Sequence, residues 1–413
     1  MTNDRTSARP FLDGVRVLEI TGALAGPYCT TILSDLGAEV IKVEPLTGDG
    51  LRNRRAGHTA RAIPFDLVHR DKNSFAVDLK TAEGRDIVVE LALRCDVLVE
   101  NFRVGALSAL GLGYADLEPV FPDLVYCSIS GFGQFGPMRE AKGVDLIAQA
   151  YGGLMSVTGS EEGTLAKSGF PVSDIGSGMW AAIGVVAALL RARAGGGGAY
   201  IDVSLADTIA SWSVWEIADF VATNDIPGPL GTAHRLAAPY QAFRCGDGQT
   251  LVIGATERSW PALCTVLEID LSHDERFVIE FERFRHRVPL AEFLEERFAT
   301  QSRDYWIERL REAGVPCGPV NTIDQVLADP QFEARGMFPR STDRFGDAPM
   351  VNTPIVSDGA PRARRQAPQV GEQTDHILTE LGYSPGDIDR LVSAGVVARP
   401  VRDIADQLEG TQP

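Results

Sequence analysis

The run VRVLEITGALAG (Val15–Gly26), continued by PYCTTILSDLG (Pro27–Gly37) and AEVIKVE (Ala38–Glu44), decides the fold. Its first six residues alternate and are rich in β-branched side chains, which reads as a strand. TGALAGP is a turn, PYCTTILSDLG has helical spacing, and AEVIKVE is a second strand. The turn stands between a strand end and a helix N-terminus, where a dinucleotide fold would cradle phosphate. It lacks GxGxxG spacing, so NAD or FAD fits poorly. A ligand role and simple turn geometry both stand at this point.

Working outward, SFAVDL (Ser74–Leu79) is a strand and Ala82–Arg94 a helix with apolar Ile87, Leu91 and Leu93. CDVLVEN (Cys95–Asn101) and LVYCSISGFG (Leu124–Gly133) are further strands. Strands alternating with helices predict an α/β fold with a mainly parallel sheet and helices on both faces. Asp174–Arg193 reads as one long buried helix, broken by AGGGGA (Ala194–Ala199), and YIDVSL (Tyr200–Leu205) resumes as a strand. Composition shifts after Ser204: a helical stretch runs to about Thr223, and IPGPLG (Ile226–Gly231) marks a linker. Two short strands turning at Gly246-Asp247-Gly248 and helices around Trp260–Leu267, Leu290–Thr300 and Asp304–Ala313 predict a small α+β domain, closed by GVPCGPV (Gly314–Val320). Helices are expected again over Gln373–Leu381 and Pro385–Ala394.

The 413 residues carry 44% apolar side chains and a formal charge of −17, enough length for a large core and the wrong sign for nucleic-acid or anionic-membrane partners. Six cysteines stand singly, at 29, 95, 127, 245, 264 and 317, with no CxxC or Cys/His ligand spacing, so neither a disulfide framework nor a metal site is expected. MTNDRTSARP lacks the apolar core of a signal peptide, and the longest apolar run, Trp180–Leu190, falls short of the roughly 20 residues a bilayer needs. A cytoplasmic protein is the expectation.

Three features could carry chemistry. Arg52, Arg54, Arg55, Arg61, Arg70 and Lys72 face only Asp66 and Asp71 in their stretch, which reads either as a solvated face or as a local anion site. Asp174, in PVSDIGSGMW, is placed to cap a helix, while Gly176 and Gly178 beside it would let a ligand approach the carboxylate as a nucleophile requires. The six histidines are scattered, with no HExxH pair, and no GxSxG elbow occurs.

Several stretches together resemble the class III CoA-transferases, the family of formyl-CoA and carnitine CoA-transferases. They are LAGPYCTTILSDLGAEVIKVEP (Leu24–Pro45), KNSFAVDLKTAEGRD (Lys72–Asp86), DVLVENFRVGALSALGLGY (Asp96–Tyr114), SISGFGQFGP (Ser128–Pro137), DLIAQAYGGLMSVTG (Asp145–Gly159) and GEQTDHILTELGYS (Gly371–Ser384). The resemblance covers roughly residues 11–397 and implies a Rossmann-like large domain drawn from both chain ends, with a smaller α+β domain between, in an interlocked homodimer. On that basis the expected division is a disordered 1–10, a large domain 11–205, a linker 206–235, a small domain 236–325, a return to the large domain 326–398 and a tail 399–413.

The resemblance implies that coenzyme A is carried between acids as an acyl-CoA co-substrate, with no metal, and that the partners are acyl-CoA, a carboxylic acid and a second copy of the chain, without nucleic acid or membrane. The family's catalytic aspartate falls on Asp174, and Asp145 stands at a supporting acidic position. Carried over as CoA-binding positions are Ala23, Leu24 and Ala25 in the first loop, Val77 and Lys80 near the adenine and ribose phosphate, Asn101 and Phe102 of the ENF segment, and Lys142 near the phosphates. Arg52 is a candidate phosphate contact. Pro45 and Ala109 replace two basic family positions, for which Arg103 is a candidate substitute. HRLAAPYQAF (His234–Phe243) lacks the glycine run that forms a lid in the formyl-CoA enzyme, which speaks against formate and oxalate and leaves a larger acid such as a dicarboxylate. A racemase of the same superfamily needs a His base where Val144 stands, and valine abstracts no proton. An inactive CoA-binding scaffold would need a damaged site, whereas Asp174 and Lys142 are present.

Overall fold

The computed structural model describes residues 9–53, 63–271, 273–343, 346–356 and 365–400. Arg54, Arg55 and Arg61 of the cationic stretch, most of the N-terminal ten residues and most of the expected tail lie outside them.

The chain begins with β1 (Arg16–Ile20), α1 (Ala25–Asp35), β2 (Glu39–Glu44), α2 (Ile63–His69), β3 (Asn73–Val77), α3 (Ala82–Ala92), β4 (Val97–Glu100), α4 (Tyr114–Leu117) and β5 (Val125–Ser130). Next come α5 (Asp145–Tyr151), α6 (Val172–Arg191), β6 (Ala199–Ser204), α7 (Leu205–Ser211) and α8 (Val214–Thr223). Then follow β7 (Tyr240–Arg244), β8 (Thr250–Gly254), α9 (Trp260–Leu267), α10 (Glu280–Arg285), α11 (Arg287–Phe298), α12 (Arg303–Glu312), β9 (Cys317–Pro319) and α13 (Ile323–Leu327). The run closes with α14 (Pro330–Ala334), β10 (Arg340–Asp343), β11 (Gly346–Pro349), α15 (Thr374–Leu381), α16 (Pro385–Ser393) and β12 (Val397–Ala398).

Contacts divide the chain into two units. The first comprises the residues up to Leu154, Ser168–Trp212 and those from Gln331 on; the second comprises Met155–Lys167 and Ser213–Pro330. The segment expected as a linker, 206–235, holds α7 and α8, and the short excursion Met155–Lys167 joins the second unit although sequence reading placed it in the large domain.

The first unit is built on a seven-stranded sheet in the order β12-β3-β2-β1-β4-β5-β6, parallel except for β12, which runs antiparallel to β3. Central strands are covered on both faces, so even their charged residues Glu19 and Lys42 are buried. Leu18, Ile20, Ile41, Phe75 and Leu98 pack on one face with α3, α15 and α16. Val17, Val40, Val97, Val99 and Cys127 pack on the other with Cys29 and Leu33 of α1 and Ala181 and Val185 of α6. Each such aliphatic side chain taken from water contributes about 1.5–3 kcal/mol.

Helix α6 is long and apolar enough, by length and composition, to cross a membrane. Here its inner face packs on α1, β5 and β6. Gly195, at φ 82°, ends its extension in a left-handed conformation that suits glycine.

The second unit has a three-stranded antiparallel sheet, β7-β8-β9, under α9, α11 and α12, with Phe243, Leu251, Leu263, Leu294, Phe298 and Trp306 at its centre.

Candidate active site

The sheet order places β1 between β2 and β4, so the chain leaves β1 toward one edge and later returns beside it toward the other. In open α/β sheets such a switch point opens a crevice at the carboxyl ends of the strands, the usual ligand site. The loop after β1 (Thr21–Leu24) and the loop after β4 (Asn101–Arg103) border it.

Asn101 ties these two loops. Its Oδ1 accepts the Gly22 N–H at 2.9 Å and its Nδ2 donates to the Gly22 carbonyl at 2.8 Å. Ala23 is held at φ 57°, Leu24 forms the N-cap of α1 without a side-chain bond, and Ala25 is buried as the first helical residue. Phe102 is half exposed, and its N–H donates to Glu100 Oε2 at 2.8 Å. The carboxyl of Glu100 is pushed up to about 7 by burial, against the pull of its hydrogen bonds from Ser128 and Phe102.

Asp174 is the third residue of α6, and the N-cap is Pro171, so the capping role weighed from sequence is not the one it plays. No donor among the described residues holds its carboxylate, which burial and then the nearby charge of Asp145 push up to about 6. Gly178 lies about one turn further along α6. A Cβ there would stand 2.8 Å from the Ala25 carbonyl and 3.1 Å from the Cys29 nitrogen, so the early turns of α1 and α6 lie side by side. A Cβ at Gly176 would strike the Trp212 ring at 2.4 Å. These glycines therefore serve helix packing, not the approach of a ligand to Asp174, a correction to the sequence reading.

Asp145, the first residue of α5, is fully held. Its Oδ1 accepts from Ser173 N at 3.0 Å and Ser173 Oγ at 2.7 Å, and its Oδ2 accepts from Gln149 Nε2 at 2.7 Å. Two adjacent carboxylates thus differ: one locked, one free to react.

The cations divide as sharply. Arg52 sets its guanidinium on both Glu44 oxygens at 2.6 and 2.8 Å, donates to the Pro368 carbonyl at 2.8 Å and stacks over Phe65 at 3.8 Å. Three of its five N–H groups are committed within the protein and little of its side chain is exposed, which speaks against the phosphate contact assigned from sequence. Arg70 is buried on Asp35, and Lys72 is buried against Glu19. The described part of the cationic stretch is therefore interior, neither a solvated face nor an anion site. Glu19 is the hub: burial alone would raise its carboxyl, but Lys72 and Lys42 hold it well below the usual range. Burial pulls the Lys72 ammonium down to about 8 despite Glu19.

Lys80, Arg103 and Lys142 are exposed and form no ion pair among the described residues. Lys80 follows β3, Arg103 follows β4 and Lys142 follows β5, all on the carboxyl side of the sheet. Val77 ends β3 with its side chain in the core and pairs with Val397 of β12, so it offers a ligand no side-chain surface, which corrects its placement beside an adenine. Val144, where a racemase needs histidine, is an exposed N-cap of α5.

Sequence reading missed Ser173, Gln149 and Glu100. Gln149 was accessible through its spacing, four residues after Asp145 on one helix face. The pairing of Ser173 with Asp145 spans 28 residues and carries no local signal.

Residues 12–374 match the family model described as CoA-transferase family III. The chain is 36% identical over 401 residues to succinyl-CoA:glutarate CoA-transferase of Homo sapiens, covering 96% of this chain and 91% of that one. It is 34% identical to acetyl-CoA:oxalate CoA-transferase of Acetobacter aceti, covering 92% of this chain and 98% of that one. Among solved structures, a CaiB/BaiF family protein from Brucella suis superposes with a TM-score of 0.79 at 37% identity, covering 91% of this chain and 100% of that one.

Proposed function

The chain belongs to CoA-transferase family III, and from that premise we propose that it moves CoA from an acyl-CoA thioester to a free carboxylic acid through covalent intermediates on Asp174. The observation that carries this reading is the half-buried Asp174 carboxylate, free of donors, beside an Asp145 that is locked in place. A carboxylate raised to about 6 is more basic than an ordinary one yet still ionised at neutral pH.

An Asp174 oxygen attacks the thioester carbonyl, the C–S bond breaks, and CoA leaves as thiolate from a mixed anhydride. The thiolate attacks the Asp174 carbonyl of that anhydride, giving an aspartyl-CoA thioester and the donor acid as carboxylate. The acceptor carboxylate then attacks this thioester, re-forming an anhydride and thiolate. Attack of the thiolate on the acceptor carbonyl releases the new acyl-CoA and restores Asp174. Splitting the exchange in this way holds the activation on Asp174, first as anhydride and then as thioester, until the acceptor takes it. Water must be excluded, because hydrolysis of the anhydride would discard the thioester.

The loop Ala23–Ala25 and the exposed cations Lys80, Arg103 and Lys142 are the proposed CoA contacts. They line the carboxyl side of the sheet, where anionic phosphates meet unpaired charge despite the net −17. The proposed acids are dicarboxylates, supported by the names of the human and Acetobacter relatives. The second name brings oxalate, which the missing glycine run spoke against, back among the proposed acids.

A homodimer is proposed as well. The outer face of α6 leaves Met179, Trp180, Ile183, Val186 and Leu190 exposed, a contiguous apolar stripe of the kind that marks an interaction surface. Light scattering at low micromolar concentration should give twice the 44.5 kDa chain mass, and a monomer there would refute it.

The central test is trapping. The protein is incubated with succinyl-CoA, treated with hydroxylamine and digested, and the modified peptide is mapped by mass. The expected result is a hydroxamate on Asp174; modification elsewhere, or none during turnover, refutes the reading.

A further inference from the structure

We infer that Gln149 is a positioning residue for CoA transfer, whose side-chain amide fixes Asp145 and, through Ser173, the first turn of α6 that presents Asp174. The inference rests on the reading of Asp174 as nucleophile and extends it to a residue outside the reacting atoms.

The geometry is specific to an amide. Gln149 is fully buried in α5, and both ends of its side chain are used. Nε2 donates to Asp145 Oδ2 at 2.7 Å, while Oε1 accepts the Ser168 N–H at 2.9 Å. Asp145 spends its other oxygen on Ser173, through both N–H and Oγ, and Ser173 is itself fully buried. One side chain thus joins three pieces of chain: α5, the irregular segment at Ser168 and the start of α6. Without its donor, Asp145 Oδ2 would lose its partner at a partly buried position, a cost that drives the carboxylate to turn or to take up a proton. Either response displaces Ser173 and alters the charge that Asp174 faces.

The titratable and charged groups are Asp145 and Tyr151 on α5, Asp174 and, at its far end, Arg191 on α6, and the exposed Asp207 on α7; the other elements packed on α6 add Tyr28, Cys29 and Asp35 (α1), Tyr126 and Cys127 (β5), and Tyr200 and Asp202 (β6). No cation on these three elements neutralises the pair among the described residues. The amide therefore does what a second carboxylate could do only when protonated. That difference supplies the test.

Gln149→Met keeps volume and removes both polar ends. Gln149→Glu keeps the acceptor for Ser168 and donates to Asp145 only while it carries a proton. Both are measured as the full chain with succinyl-CoA and glutarate, for kcat and for both KM values across pH 6 to 9, with unfolding midpoints alongside. Gln149→Met is expected to lower kcat about 100-fold with little change in the KM for succinyl-CoA, the size of loss that misplacing a reacting group brings. Gln149→Glu is expected to retain far more of wild-type kcat at pH 6 than at pH 9, since the added proton restores the donor. A purely structural role would lower both variants evenly across pH. Hydroxylamine trapping of the wild type separates the two claims. Asp174 trapped, with Gln149→Met at wild-type kcat or Gln149→Glu at a pH-independent ratio, overturns the role of Gln149 alone. Asp174 untrapped during turnover overturns the nucleophile and this inference with it. Should Gln149→Met fail to fold, the pH ratio of Gln149→Glu decides.

Discussion

Asn101 and Gly22, 79 residues apart, meet as an amide pair in which each donates one hydrogen bond and accepts one, at 2.9 and 2.8 Å. This pair closes the loop after β1 onto the loop after β4 at the switch point of the sheet. Gly26 stands close by, where an added Cβ would press on Thr21 and on Asn101 itself at 3.2 Å. Asn101→Leu removes both bonds and strands the Gly22 groups. The expected cost is about 2–3 kcal/mol of stability by urea unfolding, together with a raised KM for acyl-CoA. Asn101→Asp keeps the acceptor but turns a carboxylate oxygen on the Gly22 carbonyl, so it should bind no better than the leucine variant. An Asn101→Leu enzyme with wild-type KM would show that the clamp does not shape the CoA site.

Asp174 gives a prediction in which activity and stability move in opposite directions. Its folded carboxyl is raised from 3.8 to about 6, so it favours the folded state while protonated, fully below about pH 4, and that contribution is lost as pH rises through about 6. Asp174→Asn removes the titration. The variant is expected to lose transfer completely, yet at pH 7.5 to be more stable than wild type by on the order of 2 kcal/mol, with the difference vanishing near pH 4. Wild-type kcat/KM should fall on the acid side with a midpoint near 6. Thermal or urea unfolding across pH checks the first claim, and a pH–rate profile the second.

The difference between what the sequence discloses and what it hides follows from the range of each interaction. Strand alternation in Val15–Ile20 and helical spacing in Ala82–Arg94 are local, so β1 and α3 were legible, as was the α/β class. Asp174 was singled out by the family resemblance and not by spacing, which favoured a helix cap. Its environment was not legible, because Asp145 and Ser173 are joined across 28 residues. The charges misled for the same reason. Arg52, Arg70 and Lys72 read as part of a solvated face or an anion site, whereas folding pairs them with Glu44, Asp35 and Glu19. Nothing in local composition distinguishes a cation that will pair inside from one that will meet a ligand.

The Glu19 hub tests that interior reading. Its two oxygens serve Lys42 at 3.2 Å and Lys72 at 2.8 Å, with Thr21 and Thr30 each donating at 2.7 Å. All of these groups are buried. Glu19→Gln leaves two ammonium groups with reduced compensation, and removing one partner of a buried pair costs about 3–5 kcal/mol. The variant should unfold at markedly lower urea, and more so at pH 7 than at pH 9.5. At the higher pH, Lys72, drawn down to about 8, is free to shed its proton. Equal destabilisation at both pH values would mean that Lys72 stays charged inside.

Arg52 and Lys142 make the sharpest contrast, because sequence assigned both to CoA and the geometry separates them. Arg52 is committed to Glu44, Pro368 and Phe65, so Arg52→Met should lower stability by about 3 kcal/mol, leaving Glu44 buried without its guanidinium. The KM for acyl-CoA should hardly change. Lys142 is exposed and unpaired among the described residues, so Lys142→Met should leave the unfolding midpoint untouched. If it meets a CoA phosphate, the lost charge-assisted bond is worth about 1.5–3 kcal/mol, which is a KM higher by about 10- to 100-fold. That rise should shrink in high salt, since screening weakens an exposed pair in the wild type but has nothing to act on in the variant. Measuring KM and urea midpoints for both variants at two salt concentrations decides the matter. The assignment fails if Arg52→Met raises KM without loss of stability, or if Lys142→Met leaves KM unchanged at low salt.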